Sequence, residues 1–175
     1  MKQLEQFVLS RDVALMLCGD LNSEPSSAVY ELIFEGGLVL PHPEINPSDS
    51  VAVLPDLHNI SHNVELESAM CAVNGMEPEF TNFTAKFRGT LDYICFSPSR
   101  LRIMGVTQIP EAAEFESSVG VGLPCVNYPS DHIMLCCDVA FVITGAGGLT
   151  RNPKRKGLPL QQLGLSTSRK GNRGY

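Results

Sequence analysis

The stretch LMLCGDLNSEP, residues 15–25, decides the fold. It begins inside an apolar run, Val13-Ala14-Leu15-Met16-Leu17-Cys18, which predicts a strand buried on both faces. It then breaks into Gly19-Asp20-Leu21-Asn22. Side chains two apart on an extended backbone point to one side, so Asp20 and Asn22 are expected to face a common space. SSAVYELIFEGG follows. Ser26 or Ser27 can cap a helix, Val29, Leu32 and Ile33 form its apolar side, and Gly36-Gly37 ends it. A strand, a polar loop and a helix place the polar pair where sites are commonly built.

Outward from this unit, MKQLEQFVLSRD reads as a preceding amphipathic helix, with Leu4, Phe7 and Val8 at helical spacing. Residues 38–79 carry Pro41, Pro43, Pro47 and Pro55 and read as irregular surface, with His42, His58 and His62 as isolated loop histidines and a short packed element near Leu66–Cys71. Thr90–Phe96 alternates and is rich in aromatic and β-branched residues, a strand pattern. Leu101–Ile109 reads as its hairpin partner across SPSR, with Gly105 marking a bulge. Residues 110–130 read as loop, and Ile133–Ile143 as the last strand.

The chain has 175 residues, 43% of them hydrophobic, which suits a packed domain rather than a disordered one. Its net charge of −6 is unevenly divided. Residues 1–143 hold all 19 acids and six of the 13 Lys/Arg; residues 144–175 hold the other seven and no acid. An acidic body disfavours sequence-independent nucleic-acid binding through that body but tolerates a cation site. The division predicts a domain over 1–143 and a basic, disordered tail over 144–175 whose Lys154-Arg155-Lys156 could serve as a nuclear signal or an RNA contact. The six cysteines include no C-x-x-C, which argues against a zinc ribbon and for buried reduced thiols. No leader and no apolar run of 18 residues is seen, so an intracellular chain that does not enter membranes is expected.

Three polar clusters then stand at strand ends: Asp20 with Asn22, Asp92 in GTLDYI, and Ser130-Asp131-His132. Carboxylates next to apolar strands are costly unless paired or bound to metal. Three aspartates, an asparagine and a histidine suit metal-assisted phosphoryl chemistry, because oxygen ligands fit Mg²⁺ and a histidine can contact a charged phosphate oxygen.

These residues carry a resemblance. LMLCGDLNSEPSSAVYELI, FTNFTAKFRGTLDYICFS and PSDHIMLCCDVAF resemble the C-terminal half of the endonuclease/exonuclease/phosphatase superfamily, the deoxyribonuclease I-like fold. Within it, the FTNFT lead-in is similar to carbon catabolite repressor-type poly(A) deadenylases. The match spans about residues 5–142. It implies an α+β architecture, the C-terminal half of a two-sheet α/β sandwich with flanking helices. It implies catalytic roles for Asp20, Asn22, Asp92, Asp131 and His132: Asp20 sets the attacking water, Asn22 holds the phosphate, and Asp92 pairs with His132. It implies metal contacts at Asp20, Asn22 and Asp131 for one or two Mg²⁺ ions, and substrate contacts at Asn82 and Phe87, the ring stacking on a base. The family's N-terminal half, with its metal-binding glutamate, is expected to be missing from this chain. The activity implied is 3′-to-5′ exoribonuclease action on the poly(A) 3′ end of RNA in the cytoplasm, with the nucleus as a second location, and weak or absent in this portion alone. The partners implied are RNA and either a complementing chain or a deadenylase complex. Two alternatives stay open: a phosphodiesterase or phosphatase acting on small nucleotides, and a non-catalytic RNA-binding scaffold.

Overall fold

A computed structural model describes residues 2–11, 13–39, 42–45, 59–117 and 120–143. Helix α1 (Lys2–Arg11) leads into strand β1 (Met16–Asp20), and helix α2 (Ala28–Glu35) follows. Ser27 caps α2, its hydroxyl accepting from Tyr30 N at 3.2 Å, and Gly36 closes it in the left-handed region at φ 74°. Both signals were legible as helix punctuation. Two short strands, β2 (Gly37–Val39) and β3 (Asn59–Ser61), pair after it. Next come β4 (Glu67–Ser68) and helix α3 (Ala69–Asn74), then the pair β5 (Asn82–Phe83) and β6 (Arg88–Gly89).

The middle of the fold is β7 (Asp92–Phe96), which runs between β1 and β4 in a three-stranded antiparallel sheet. Both its faces are buried. Tyr93 and Cys95 pack with Ile33, Val64 and Leu66 under α2. Ile94 and Phe96 pack with Ala69, Met70, Leu101 and Val106 against the second layer. That layer is β8 (Leu101–Val106) paired with β11 (Cys137–Phe141). A small ribbon, β9 (Glu116–Ser117) with β10 (Gly120–Val121), lies between them in sequence. A third cluster, Phe80, Phe83, Phe115, Leu123 and Ile133, fastens the segments that carry the polar residues. The result is an α+β two-layer sandwich with helices outside.

Three expectations are corrected. The strand buried on both faces is β7, not β1. β1 is an edge strand: Leu15 and Leu17 meet the α2 side, while Met16, Cys18 and Asp20 are exposed. An apolar run does not distinguish a central strand from an edge strand, because that depends on what the rest of the chain supplies. Second, Leu101–Val106 does not form a hairpin with β7. The chain turns after Ser97, whose amide bonds back to Leu15 O, and crosses to the other layer to pair with β11. Gly105 does adjoin an irregularity: Asp138 faces Gly105 and Val139 faces Ile103, so Met104 is the extra residue. Third, regular strand structure in the last segment begins at Cys137, so Ile133–Cys136 is not ladder. Of the loop histidines, His62 is buried and fully used, its Nε2 on Leu32 O at 2.7 Å and its Nδ1 accepting from Val64 N. His58 and the basic tail lie outside the described residues. All six cysteines are free thiols as expected, but only Cys95 is buried; Cys18 is exposed and the other four are part-exposed.

The sandwich is open on one side. Met16 pairs with Phe96, Val139 with Ile103 and Phe141 with Leu101, so these residues lie on core-side faces. Yet Met16 is 37%, Val139 44% and Phe141 77% exposed. Exposed apolar surface of this kind marks a contact face or an association hazard. The isolated chain is therefore expected to bind a hydrophobic dye and to self-associate as its concentration rises, and Phe141→Ser to reduce both. Phe96→Ala, in the closed part of the core, should cost about 3–5 kcal/mol. Dye binding, sedimentation and urea unfolding check this; a monomer with a cooperative transition, no dye binding and an m-value normal for its length would contradict it.

Candidate active site

β1 ends by turning on its own side chains. Asn22 N donates to Asp20 Oδ1 at 2.7 Å, and Asn22 adopts φ 48°, the left-handed region that asparagine tolerates. Leu21 N bonds Leu91 O at 2.8 Å and fixes the turn to the start of β7. One oxygen of Asp20 is thus spent on the turn, and Oδ2 remains for the site. The left-handed turn also changes where Asn22 goes. It lines a cavity of about 350 Å³ with Glu24, Ser26, Phe87 and Leu91, while a second cavity of about 370 Å³ is lined by Cys18, Asp92, His132 and Met134.

In the antiparallel register of β1 and β7, Asp20 sits directly opposite Asp92. Like charges facing each other across a ladder are destabilising. His132 resolves the conflict. Its Nδ1 donates to Asp92 Oδ2 at 2.8 Å, and its Nε2 faces Asp20 Oδ2 at 4.0 Å. The Asp92 hydrogen bond is the largest cause that raises the His132 pKa above its ordinary value; burial opposes it, and the Asp92, Asp20 and Asp131 charges add to it. The main chain of His132 is held from both sides: its N–H donates to Ser130 Oγ at 3.1 Å, and Ile133 N donates to Thr81 O at 2.7 Å.

Asp92 has a further partner. Thr81, completely buried, donates its hydroxyl to Asp92 Oδ2 at 2.6 Å and accepts from the amides of Leu91 and Asp92 at 2.9 and 3.0 Å. Nothing in the sequence marks Thr81; it lies in the FTNFT segment between aromatic residues, with no spacing that ties it to Asp92. Its neighbour Asn82 is also buried, and its carboxamide reaches Asp131 Oδ2 at 3.5 Å. Asn82 thus sits beneath the Asp131-His132 turn, while Asp131 itself is exposed. Phe87 is different. Thr84 Oγ1 accepts from the amides of Lys86 and Phe87 at 3.2 and 3.0 Å, and this turn presents a ring that is 37% exposed in the first cavity. The ring lies over Gly89, where a Cβ would come within 2.8 Å of Phe87 Cζ and 2.7 Å of Glu24 Oε1.

Asp20, Asp92 and His132 each offer one ligand atom within 4.8 Å of the others, the one cation-sized group of His, Cys, Asp and Glu side chains among the described residues. Asp20 is common to this group and to the expected ligands; Asp131 lies outside it. The donor chemistry fits a divalent ion held by one or two carboxylates and otherwise by water, as Mg²⁺ commonly is.

Fold and site together define a two-layer α+β protein with a carboxylate–histidine array at its strand ends. Residues 1–132 match the Endonuclease/Exonuclease/phosphatase family. The chain is 38% identical over 133 residues to the CCR4-Not complex 3′-5′-exoribonuclease subunit Ccr4 of Saccharomyces cerevisiae, which covers 76% of this chain and 15% of that protein. It is 34% identical over 139 residues to 2′,5′-phosphodiesterase 12 of Mus musculus, covering 76% of this chain and 21% of that one. Among solved structures, ANGEL2, a 2′,3′-cyclic phosphatase, shares the fold at TM-score 0.59 and 23% identity over 77% of this chain and 48% of its own. The chain belongs to the Endonuclease/Exonuclease/phosphatase family. It spans 15% to 21% of the length of these two curated relatives. No helix among the described residues is long and apolar enough to cross a membrane.

The raised pKa of His132 sets a pH dependence. A group whose folded pKa lies above its unfolded value, about 6.5, adds stability that is fully present below that value and is lost as pH rises through the folded pKa. Urea unfolding of the chain and of His132→Gln, in chelator, should therefore differ most near pH 6 and converge at higher pH. A difference that grows with pH would contradict the Asp92–His132 pairing.

Proposed function

We propose that this chain is the C-terminal portion of a Mg²⁺-dependent 3′-to-5′ exoribonuclease that shortens poly(A), and that its site works when a second polypeptide segment completes the open sandwich. The observation that carries this reading is the Asp92–His132–Asp20 array at the strand ends, with the exposed Phe87 ring in a separate cavity that Asn22 lines. His132, held by Asp92, donates from Nε2 to a non-bridging phosphate oxygen. Asp20 Oδ2 orients the attacking water and takes its proton. Water oxygen bonds to phosphorus, the P–O3′ bond breaks, the departing O3′ takes a proton from solvent water, Asp20 returns its proton to solvent, and a nucleoside 5′-monophosphate leaves. Asn22 donates its carboxamide to the phosphate, and Phe87 stacks on the terminal base. A Mg²⁺ held at the Asp20 carboxylate would offset charge that develops on phosphorus; Asp131 lies outside the cation-sized group and Asn22 turns toward the other cavity, so neither is kept as a metal contact. Asn82 supports the Asp131 turn from beneath, which fits its burial better than direct contact with the nucleotide.

The 2′,5′-phosphodiesterase relative favours a second reading, in which the same array cleaves short 2′,5′-linked nucleotides. The ratio of activity on 3′,5′-linked oligo(A) RNA to activity on 2′,5′-linked oligoadenylate separates the two. The basic tail would add RNA affinity in a cytoplasmic protein.

The test uses a 5′-labelled RNA with an oligo(A) 3′ end and Mg²⁺. Shortening should fall at least about 100-fold in Asp20→Ala and His132→Ala. Phe87→Ala should weaken substrate use about ten-fold, since stacking on one base is worth roughly 1–3 kcal/mol. If the chain alone is silent, adding a polypeptide that spans the rest of the family domain should restore shortening. Activity that survives Asp20→Ala and His132→Ala, or an RNA-binding function untouched by both, would overturn the proposal.

A further inference from the structure

We propose that Thr81 is the positioning residue of the site: its buried hydroxyl orients the Asp92 carboxylate, and through it the imidazole of His132. The direction of its hydrogen bonds follows from counting protons. The hydroxyl oxygen accepts from two backbone amides, Leu91 N at 2.9 Å and Asp92 N at 3.0 Å, and amides can only donate. Its single proton therefore goes to Asp92 Oδ2, 2.6 Å away. That oxygen receives His132 Nδ1 as well, at 2.8 Å. Two donors converging on one oxygen fix the plane of the carboxylate, and the plane of the carboxylate fixes the ring.

The main chain of the same residue ties the pieces together. Thr81 N donates to Gly89 O at 2.9 Å, and Thr81 O accepts from Ile133 N at 2.7 Å. One fully buried residue thus joins the β5 segment, the start of β7 and the turn that presents His132. A buried hydroxyl in an aromatic setting is costly unless it is fully bonded, and this one is. Groups that orient a working side chain from behind commonly change its activity 10- to 100-fold when removed. Serine can keep the relay, whereas valine keeps the shape and deletes the proton.

This inference rests on the reading of Asp92 and His132 as a working pair, but its readouts are spectroscopic, so absent nuclease activity and absent relay are separate results. In the unmutated chain, the Thr81 hydroxyl proton should exchange slowly enough to be seen by NMR and show a nuclear Overhauser contact to the His132 Nδ1 proton. At a pH high enough to neutralise the ring, the imidazole ¹⁵N spectrum should show one tautomer, protonated at Nδ1; at lower pH both nitrogens carry protons and Nε2 can donate as well. Thr81→Val should lose the downfield Nδ1 proton and average the two nitrogens, and Thr81→Ser should recover both signals. A freely exchanging Thr81 hydroxyl in the unmutated chain, or an unchanged His132 spectrum in Thr81→Val, would overturn the proposal. The first of these measurements needs no substitution, so failure of the valine variant to fold leaves it decisive.

Discussion

Two aspartates face each other across the β1–β7 ladder, and the local structure is organised around that conflict. Asp20 and Asp92 are register partners, a placement that costs energy when both are ionised and nothing lies between them. Each is restrained by a separate device. Asp20 gives one oxygen to the amide of Asn22. Asp92 gives one oxygen to both Thr81 and His132. The imidazole then sits between the two carboxylates with its outer nitrogen toward Asp20. Concentrated negative charge with an imidazole donor beside it is a suitable place for a metal ion or a phosphate oxygen, and a poor place for an inert core.

The scaffold beneath this pair is built from residues with no charge to contribute. β7 is buried on both faces and anchors two clusters, one under α2 and one against β8. The phenylalanines at 80, 83 and 115 hold the segments that carry Thr81, Asn82 and His132. Tyr93 extends from β7 to bond Ser23 O at 2.7 Å and Thr90 O at 3.0 Å, which fastens the loop after Asn22 to the strand that bears Asp92. The two halves of the site therefore share one rigid support, as a site of this kind requires.

Much of this was legible in the sequence, and the part that was not has a common cause. The strand–polar loop–helix unit around Asp20 could be read because capping serines and a closing glycine act locally. The association of Asp20, Asp92 and His132 came from the family resemblance, since nothing in their spacing brings positions 20, 92 and 132 together. The pairing of β8 could not be read: alternation indicates a strand but not its neighbour, and the turn at Pro98–Arg100 leads across the layers rather than back along β7. The burial of β1 is not legible for the same reason, because an edge and a centre share one apolar pattern. Thr81 was invisible because its significance is wholly tertiary. Asn22 illustrates a subtler limit: the two-residue periodicity that placed it beside Asp20 ends where its backbone turns left-handed.

The open side of the sandwich and the charged pair are not independent features. Met16, Cys18 and Asp20 alternate along one face of a single edge strand, and Cys18 and Met134 share a cavity with Asp92 and His132. Any surface that came to rest on Met16 and Cys18 would end against Asp20. It would also exclude water from one side of the carboxylate–imidazole array, where lower local polarity strengthens each hydrogen bond and each charge interaction. Closing the apolar face and tuning the electrostatics would then be one physical event. The strength of the array as an acid–base device would report whether that edge is covered.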